Sequence, residues 1–477
     1  MVSGGSVGKI ALPAGDLRKP VADALSASGL HVEGYGEGSR QYRLPVRDRE
    51  DVRVRVFREK DIPIQVALGN YDVGITSLAW VQEIQSRFPQ QELVLLGDLG
   101  IGAGRIVAAA CAEDIASLAD IGALGRVRLA SEYPNIADAF ARSARLARYR
   151  VQPVSGAAHA YPPEDADVVI VAESDDGFLG EHGLAPLFTL LDNSAWVIGN
   201  AGALAKKDLR SVLDALLRSG RGARDGSLRL PPPIAARSNG RTTEAPREIL
   251  RMAVPDGHQQ RHVYEALEVA GLEFDGYGEK TTVRRPQSGI DGLAVKVVRP
   301  QDMPQLVATG DIDIAVTGRD CLNEHLYQFP SSPAYEIIDL HRAQYNLSAV
   351  VEADLPADDL AGAFKHWRAK GREVLTIAAE YPATADHYAR SRHFWRYRVI
   401  PIAGASEGFV PEDADVLIEG TETGRTIAEN NLKVIDLLYR STSCVIARRD
   451  AGLAGNRKKV FEHLRGALEK ASGSSQS

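Results

Sequence analysis

The sequence predicts an α/β protein made of two tandem copies of a two-lobed module, with mainly parallel sheets and an interlobe cleft. Three observations lead there. First, segments return in one order along the chain. Ile10-Ala-Leu-Pro-Ala-Gly15 returns as Met252-Ala-Val-Pro-Asp-Gly257, and Gly34-Tyr-Gly-Glu37 as Gly276-Tyr-Gly-Glu279, both at an offset of 242. Arg58-Glu-Lys-Asp-Ile-Pro63 returns as Arg299-Pro-Gln-Asp-Met-Pro304 at 241. Glu132-Tyr-Pro134, Arg148-Tyr-Arg-Val151 and Asp165-Ala-Asp167 return at 248, as Glu380-Tyr-Pro382, Arg396-Tyr-Arg-Val399 and Asp413-Ala-Asp415. A period this long is a duplicated module, not a solenoid repeat. Second, short β-branched runs alternate with helical patterns, the signature of a parallel sheet covered on both faces. Third, each copy is too long for one such sheet, which argues for two lobes.

The elements follow in order. Val52–Phe57 reads as a strand. Asp61–Leu68 reads as a helix, with Asp61 at its start and Pro63 in its first turn. Asp72–Thr76, Arg105–Ala110 and Val127–Ala130 are predicted strands and Pro134–Leu146 a helix. Arg150–Val154 and Val168–Val171 are strands again. Lys206–Ser219 reads as one amphipathic helix. The Gly/Pro/Arg-rich stretch after it, with Pro231-Pro-Pro233, reads as a linker. The expected division is 1–219 for the first copy, 220–247 for the linker and 248–477 for the second copy. Ligands in such sheets sit beyond the carboxyl ends of strands.

Composition narrows the function classes. Among 477 residues, 56 Lys and Arg face 63 Asp and Glu, a net charge of −7. That disfavours a general nucleic-acid binder, which needs a basic surface. Three cysteines, Cys111, Cys321 and Cys444, lie far apart. They have no metal-ligand spacing and form no disulfide framework, so a reducing cytoplasm is expected and core packing is their simplest role. No apolar run suggests a signal peptide or a membrane span.

The sharpest chemistry lies in Asp413-Ala-Asp-Val-Leu-Ile-Glu-Gly-Thr-Glu-Thr-Gly-Arg-Thr-Ile427. A buried strand, Val416–Ile418, runs into a loop of threonines, glycines, Arg425 and two glutamates. Ala428-Glu-Asn-Asn-Leu432 then begins like a helix. Backbone amides and the hydroxyls of Thr421, Thr423 and Thr426 suit a phosphate monoester. Gly420 and Gly424 permit the backbone geometry. Glu419 and Glu422 would repel phosphate but suit ribose hydroxyls, so a phosphoribosyl group would satisfy both needs. The alternative is a Thr/Gly-rich surface turn.

Taken with its other motifs, the chain resembles the ATP phosphoribosyltransferase family over about Lys9–Ala205 and Leu250–Arg449. The donor-loop motif is similar to Glu419, then Glu422-Thr-Gly-Arg-Thr-Ile427, then Asn430-Asn-Leu432. An Arg-x-x-Asp-Ile-Pro element is matched by Arg58–Pro63 and Arg299–Pro304. A Gly-Ile-Thr-Gly-x-Asp element is matched by Ala315-Val-Thr-Gly-Arg-Asp320, and Asp-Leu-Gly-x-Gly-x-x-Arg by Asp98-Leu-Gly-Ile-Gly-Ala-Gly-Arg105. Tyr-Pro-Asn is matched by Tyr133-Pro-Asn135. The resemblance implies a unit like periplasmic binding proteins. It implies transfer of phosphoribosyl from phosphoribosyl pyrophosphate to N1 of ATP, releasing pyrophosphate, as the first step of histidine biosynthesis. Mg²⁺ would ride on the pyrophosphate, with no dedicated protein metal site. Arg299, Arg319, Asp320 and Glu419 are the implied catalytic residues, and Thr421, Glu422, Thr423, Gly424, Arg425 and Thr426 the donor loop. Gly100, Gly102 and Arg105 are the candidate nucleotide-binding residues. Dimers are implied too, here as an internal pseudo-dimer, with a further homo-oligomer or a regulatory subunit left open.

The copies differ in complementary ways. At the donor loop the first reads Glu173-Ser-Asp-Asp-Gly-Phe-Leu179, putting Asp175 and Asp176 toward the phosphate position, so a single donor site in the second copy is expected. The first has Ser77-Leu-Ala-Trp80 where the second has Gly318-Arg-Asp320. Both copies lack the family's N-terminal Pro-x-Lys-Gly-Arg, reading Ala14-Gly-Asp16 and Asp256-Gly-His258. Each candidate has a rival role: Arg299 as a salt bridge to Asp302, Asp320 as a helix cap, Arg105 as a structural residue. His387 and His393 read as packing residues beside Trp395. The alternatives to an ATP-using enzyme are a phosphoribosyltransferase with another acceptor and a non-catalytic regulatory or binding paralogue.

Overall fold

The computed structural model describes residues 7–36, 42–89, 92–173, 175, 177–218, 220–222, 225–235, 248–280, 283–404, 406–421 and 425–473. The chain divides into two compact units. One comprises Met1–Pro153, Ala158–Thr243 and Ala403–Gly408, the other Val154–Ala157, Glu244–Ile402 and Phe409–Ser477.

In the first unit the strands are β1 (Gly8–Pro13), β2 (Arg43–Leu44), β3 (Val52–Phe57), β4 (Val73–Ser77), β5 (Leu93–Asp98), β6 (Gly104–Cys111), β7 (Val127–Ser131), β8 (Tyr149–Pro153), β9 (Val168–Glu173), β10 (Leu184–Asn193) and β11 (Ala195–Asn200). They form two sheets, ordered β2-β3-β1-β4-β11-β5 and β10-β6-β9-β7-β8. Each sheet is the core of one lobe. β1 pairs in parallel with β3 and β4, and β7 with β8 and β9. The antiparallel pairings come chiefly from the strands that pass between lobes, β5 into β6 and β10 into β11. The sheets are therefore mixed, with the parallel ladders at one side of each.

The second unit repeats the plan. Its strands are β12 (Leu250–Pro255), β13 (Phe274–Asp275), β14 (Gln287–Ser288), β15 (Leu293–Val298), β16 (Ile314–Gly318), β17 (Ala334–Asp339), β18 (Tyr345–Glu352), β19 (Leu375–Ala379), β20 (Tyr397–Pro401), β21 (Val416–Thr421), β22 (Leu432–Ser441) and β23 (Ser443–Arg448). The sheets run β15-β12-β16-β23-β17 and β20-β19-β21-β18-β22, beside the hairpin β13-β14. Register is preserved: Ile10 faces Val54 as Met252 faces Val295. The slip in offset from 241 to 248 falls between β18 and β19. There the second unit has the helix Leu360–Ala369 where the first has Leu118–Ile121. Asp359 starts the longer helix by accepting the Gly362 amide at 2.7 Å.

Alternate strand positions face inward. Ile10, Leu12, Val54, Val56, Val73 and Ile75 fill one core, and Met252, Val254, Val295, Val297, Ile314 and Val316 its counterpart. Most predicted elements appear within a turn's length of their expected ends. Two do not. Lys206–Ser219 is split into Ala201–Lys206 and Arg210–Leu217, with Ser219 outside the described residues. Lys207 is extended there because its ammonium reaches the Asp72 carboxylate at 2.8 Å. Ala428–Leu432 does not begin a helix. The helix is Arg425–Glu429, and Asn431 ends it with φ of 56° before β22. The linker's first half lies on its own unit: Gln82 donates to the Gly226 carbonyl at 2.7 Å and Ser143 to that of Pro231 at 2.7 Å.

Candidate active site

The lobe crossovers position the candidate residues, and one carboxylate organises each pair of them. In the first unit Asp98, at the end of β5, accepts the Gly100 amide at 2.7 Å and the Ser194 hydroxyl at 2.6 Å. Ser194 lies in the other crossover, so Asp98 ties the two together. In the second unit Asp339 accepts the His341 amide and the Thr442 hydroxyl, both at 2.8 Å. Burial pushes the Asp339 carboxyl up, but the His341 amide, Thr442 and Arg319 outweigh it and hold it below its ordinary value. Gly100 and Gly102 have φ of 65° and 62°, and their counterparts His341 and Ala343 keep 53° and 48°. The glycines thus serve the turn that carries the chain between lobes. The second unit keeps that turn with side chains that resist it. Ala343→Gly should therefore raise stability by about 0.5–1 kcal/mol, read as a higher urea midpoint at unchanged slope.

Arg105 is engaged within the fold. It leaves β6 beside β9 and pairs with the buried Glu173 carboxylate, at 3.0 Å from Nε and 2.8 Å from Nη2. This is the structural alternative for Arg105. The same two positions in the second unit are Asn346 and Thr421, and Thr421 donates to the Asn346 carbonyl at 3.4 Å. Asp175 turns its carboxylate back to the Gly177 amide at 3.2 Å, while Asp176 lies outside the described residues.

In the second unit Arg319 opens the helix Arg319–Gln328. Its guanidinium forms a two-pronged pair with Glu336, at 2.9 and 2.6 Å, and reaches Asp339 at 2.8 Å. These carboxylates raise the guanidinium's proton affinity, so it is fixed as a cation. Two carboxylates already balance it, which suits a role in holding the crossover. Arg299 is different. It precedes the short helical turn Pro300–Asp302, and its guanidinium donates to Asp256 at 3.3 Å rather than to Asp302. Arg284 donates to the other oxygen of Asp256 at 2.5 Å. Two cations share one carboxylate, and Arg299 keeps 40% of its side-chain surface exposed. Arg284 is invisible to motif reasoning because it precedes β15 with no pattern around it.

Asp320 is buried and caps no helix. It accepts from Tyr381 at 2.5 Å, from Ser441 at 2.7 Å and from the Cys321 thiol at 3.4 Å. The cysteines do pack: Cys321 and Cys444 are buried, and burial pushes both thiols well up. Cys111 is half-buried. His387 stacks on Tyr327 with ring centres 3.9 Å apart. Glu419 sits half-buried on β21 opposite Ser348. Thr426 is exposed in the helix that Arg425 opens. Glu422, Thr423 and Gly424 lie outside the described residues.

A carboxylate also joins the lobes within each unit. Glu83 accepts the amides of Asn135 and Ile136 at 2.9 and 3.0 Å, at the start of the helix Pro134–Ser143. Glu324 does the same for Ala383 and Thr384, at 2.8 and 2.7 Å. Among the described residues no group of three or more His, Cys, Asp or Glu side chains is placed to hold a metal ion. No described helix is long and apolar enough to cross a membrane.

The ATP phosphoribosyltransferase family model (HisG) matches residues 58–219 and 299–470, more than half of the chain. An ATP phosphoribosyltransferase of Rubrobacter xylanophilus is 30% identical over 220 residues, covering 46% of this chain and 93% of that protein. One of Mesorhizobium japonicum is 25% identical over 218 residues, covering 44% and 93%. Among solved structures, an ATP phosphoribosyl transferase (HisG:HisZ) complex from Thermotoga maritima is 20% identical, covering 48% of this chain and 100% of that one, with a TM-score of 0.38.

Proposed function

Because the chain belongs to the ATP phosphoribosyltransferase family, the pentosyltransferases of histidine biosynthesis, we propose that it works through one donor site, in its second module. At that site N1 of ATP attacks C1′ of 5-phosphoribosyl pyrophosphate as the bond from C1′ to pyrophosphate breaks. The nitrogen lone pair becomes the new bond, and pyrophosphate leaves with the other electron pair. The adenine nitrogen needs no strong base, so catalysis consists of positioning and of neutralising the leaving group. Mg²⁺ carried in with the pyrophosphate substrate would supply part of that neutralisation. Arg299, half-exposed and sharing its carboxylate with Arg284, supplies the rest. Glu419 and the loop from Thr421 to Thr426 receive the ribose and its 5′-phosphate, including Glu422, Thr423, Gly424 and Arg425. Asp320 and Arg319 support the site from behind. Both substrates are cytoplasmic metabolites, and the enzyme works in that compartment.

The observation that carries the single-site reading is the Arg105–Glu173 pair. It closes the strand ends of the first module with an ion pair, where the second has neutral Asn346 and Thr421. Calorimetric titration with donor and Mg²⁺ should give one equivalent per chain, and mass spectrometry with ATP present should show phosphoribosyl-ATP. Two equivalents would overturn the single site.

A different acceptor is favoured by one observation. Asp256 places a carboxylate after β12, engaging Arg284 and Arg299. Donor binding without a phosphoribosyl-ATP peak would support that reading.

A further inference from the structure

The second module holds a buried cluster around Asp320 whose other members the proposed chemistry leaves unused. Asp320 gathers hydroxyls from Tyr381, on the far lobe, and from Ser441, at the crossover. Tyr345, the first residue of β18, lies near Asp320 and Tyr381, and burial first, then the Asp320 charge, push its phenol up. Its ring lies on Gly420: a methyl group at Gly420 would stand 2.9 Å from ring carbon Cε2 and 3.2 Å from Cδ2. Gly420 has no left-handed backbone, so glycine is needed there for space.

The first module shows the reverse arrangement. Pairing of β6 with β9 matches pairing of β18 with β21, so Ile106 opposite Ala172 corresponds to Leu347 opposite Gly420. Ala172 thus stands where Gly420 does, and Gly104 where Tyr345 does. The small residue and the larger one thus stand on opposite strands in the two modules. Asp320, Cys321 and Ser441 correspond to Ala79, Trp80 and Asn193. Tyr133 keeps the place of Tyr381, but its ring packs on Trp80 at 4.6 Å. Among the described residues the cluster is present in the second module and not in the first.

We propose that Tyr345 is a positioning residue: its ring, packed on Gly420, fixes the Gly420–Thr421 end of β21 from which the donor loop departs. This rests on the donor site proposed above. Kinetics and titration with 5-phosphoribosyl pyrophosphate and Mg²⁺ test it in Tyr345→Phe, Tyr345→Ala, Gly420→Ala and the Tyr345→Ala/Gly420→Ala double variant. Tyr345→Ala and Gly420→Ala should each raise the donor KM about tenfold with a smaller change in kcat, and Tyr345→Phe should stay within about threefold. Adding Gly420→Ala to Tyr345→Ala should cost almost nothing more, because the ring it would strike is gone. Additive losses, or a wild-type KM in Tyr345→Ala, would overturn the proposal. Amide exchange of the ligand-free chain tests it without any substrate. The Gly420 and Thr421 amides should exchange faster in Tyr345→Ala but not in Tyr345→Phe, and unchanged exchange overturns the role. Faster exchange in a protein whose wild type binds no donor would support the packing role and sink the donor site instead.

Discussion

Asp320→Ala should destabilise the second module by about 3 kcal/mol, since each buried hydroxyl left without an acceptor costs ~1–3 kcal/mol. Tyr381 and Ser441 lose their acceptor at once. Burial is the main reason that the phenols of Tyr381 and Tyr345 are pushed far up, so both stay protonated and Tyr381 keeps its hydrogen bond to Asp320 at any working pH. For Tyr381 the neighbouring Cys321 and Asp320 add to that shift after burial. Thermal unfolding of the whole chain should register the loss as a midpoint lower by roughly 6–12 °C, given about 2–4 °C per kcal/mol for a module of this size. Asp320→Asn keeps an acceptor and should lose less. The mirror experiment is Ala79→Asp in the first module. Ala79 is fully buried, and its neighbours Trp80 and Tyr133 are packed on each other. A carboxylate there would replace a fully buried methyl group in a packed interior and should cost at least as much. An unchanged midpoint in both variants would show that the cluster contributes nothing.

Arg299→Ala should lower kcat/KM by about 10²–10³, the usual loss when a group that stabilises developing negative charge is removed. Turnover with ATP and 5-phosphoribosyl pyrophosphate reads it directly. The fold should tolerate the change, because Arg299 is half-exposed and Arg284 stays on Asp256. A variant that turns over at the wild-type rate would remove Arg299 from the leaving-group site. Added guanidinium ions that restore part of the rate would support its role as the missing cation.

Local pattern made much of this architecture legible. Val52–Phe57 has the ends expected of it, and Pro134 opens its helix as its place in the motif suggested. The repeated motifs located both modules because equal registers preserve equal spacing. What stayed hidden depends on contacts between distant segments. Arg319 looked like a ligand-binding cation, but Glu336 and Asp339, 17 and 20 residues further on, reach it only once β17 is in place. Arg105 was hidden in the same way by Glu173, which faces it across β6 and β9. His341 and Ala343 have no glycine to announce a left-handed turn, so only the backbone reveals it. Tyr345 carries no motif, and its importance appears only when Gly420 is set beside it.

The carboxylates of Glu83 and Glu324 bear on how the two lobes of each unit move against each other. In each unit two helix amides of one lobe donate to an acid on the other, so the lobes are tied at the first turn of that helix. Swinging one lobe away would strip both bonds and leave helix amides bare, at ~1–3 kcal/mol for each exposed pairing that water does not replace.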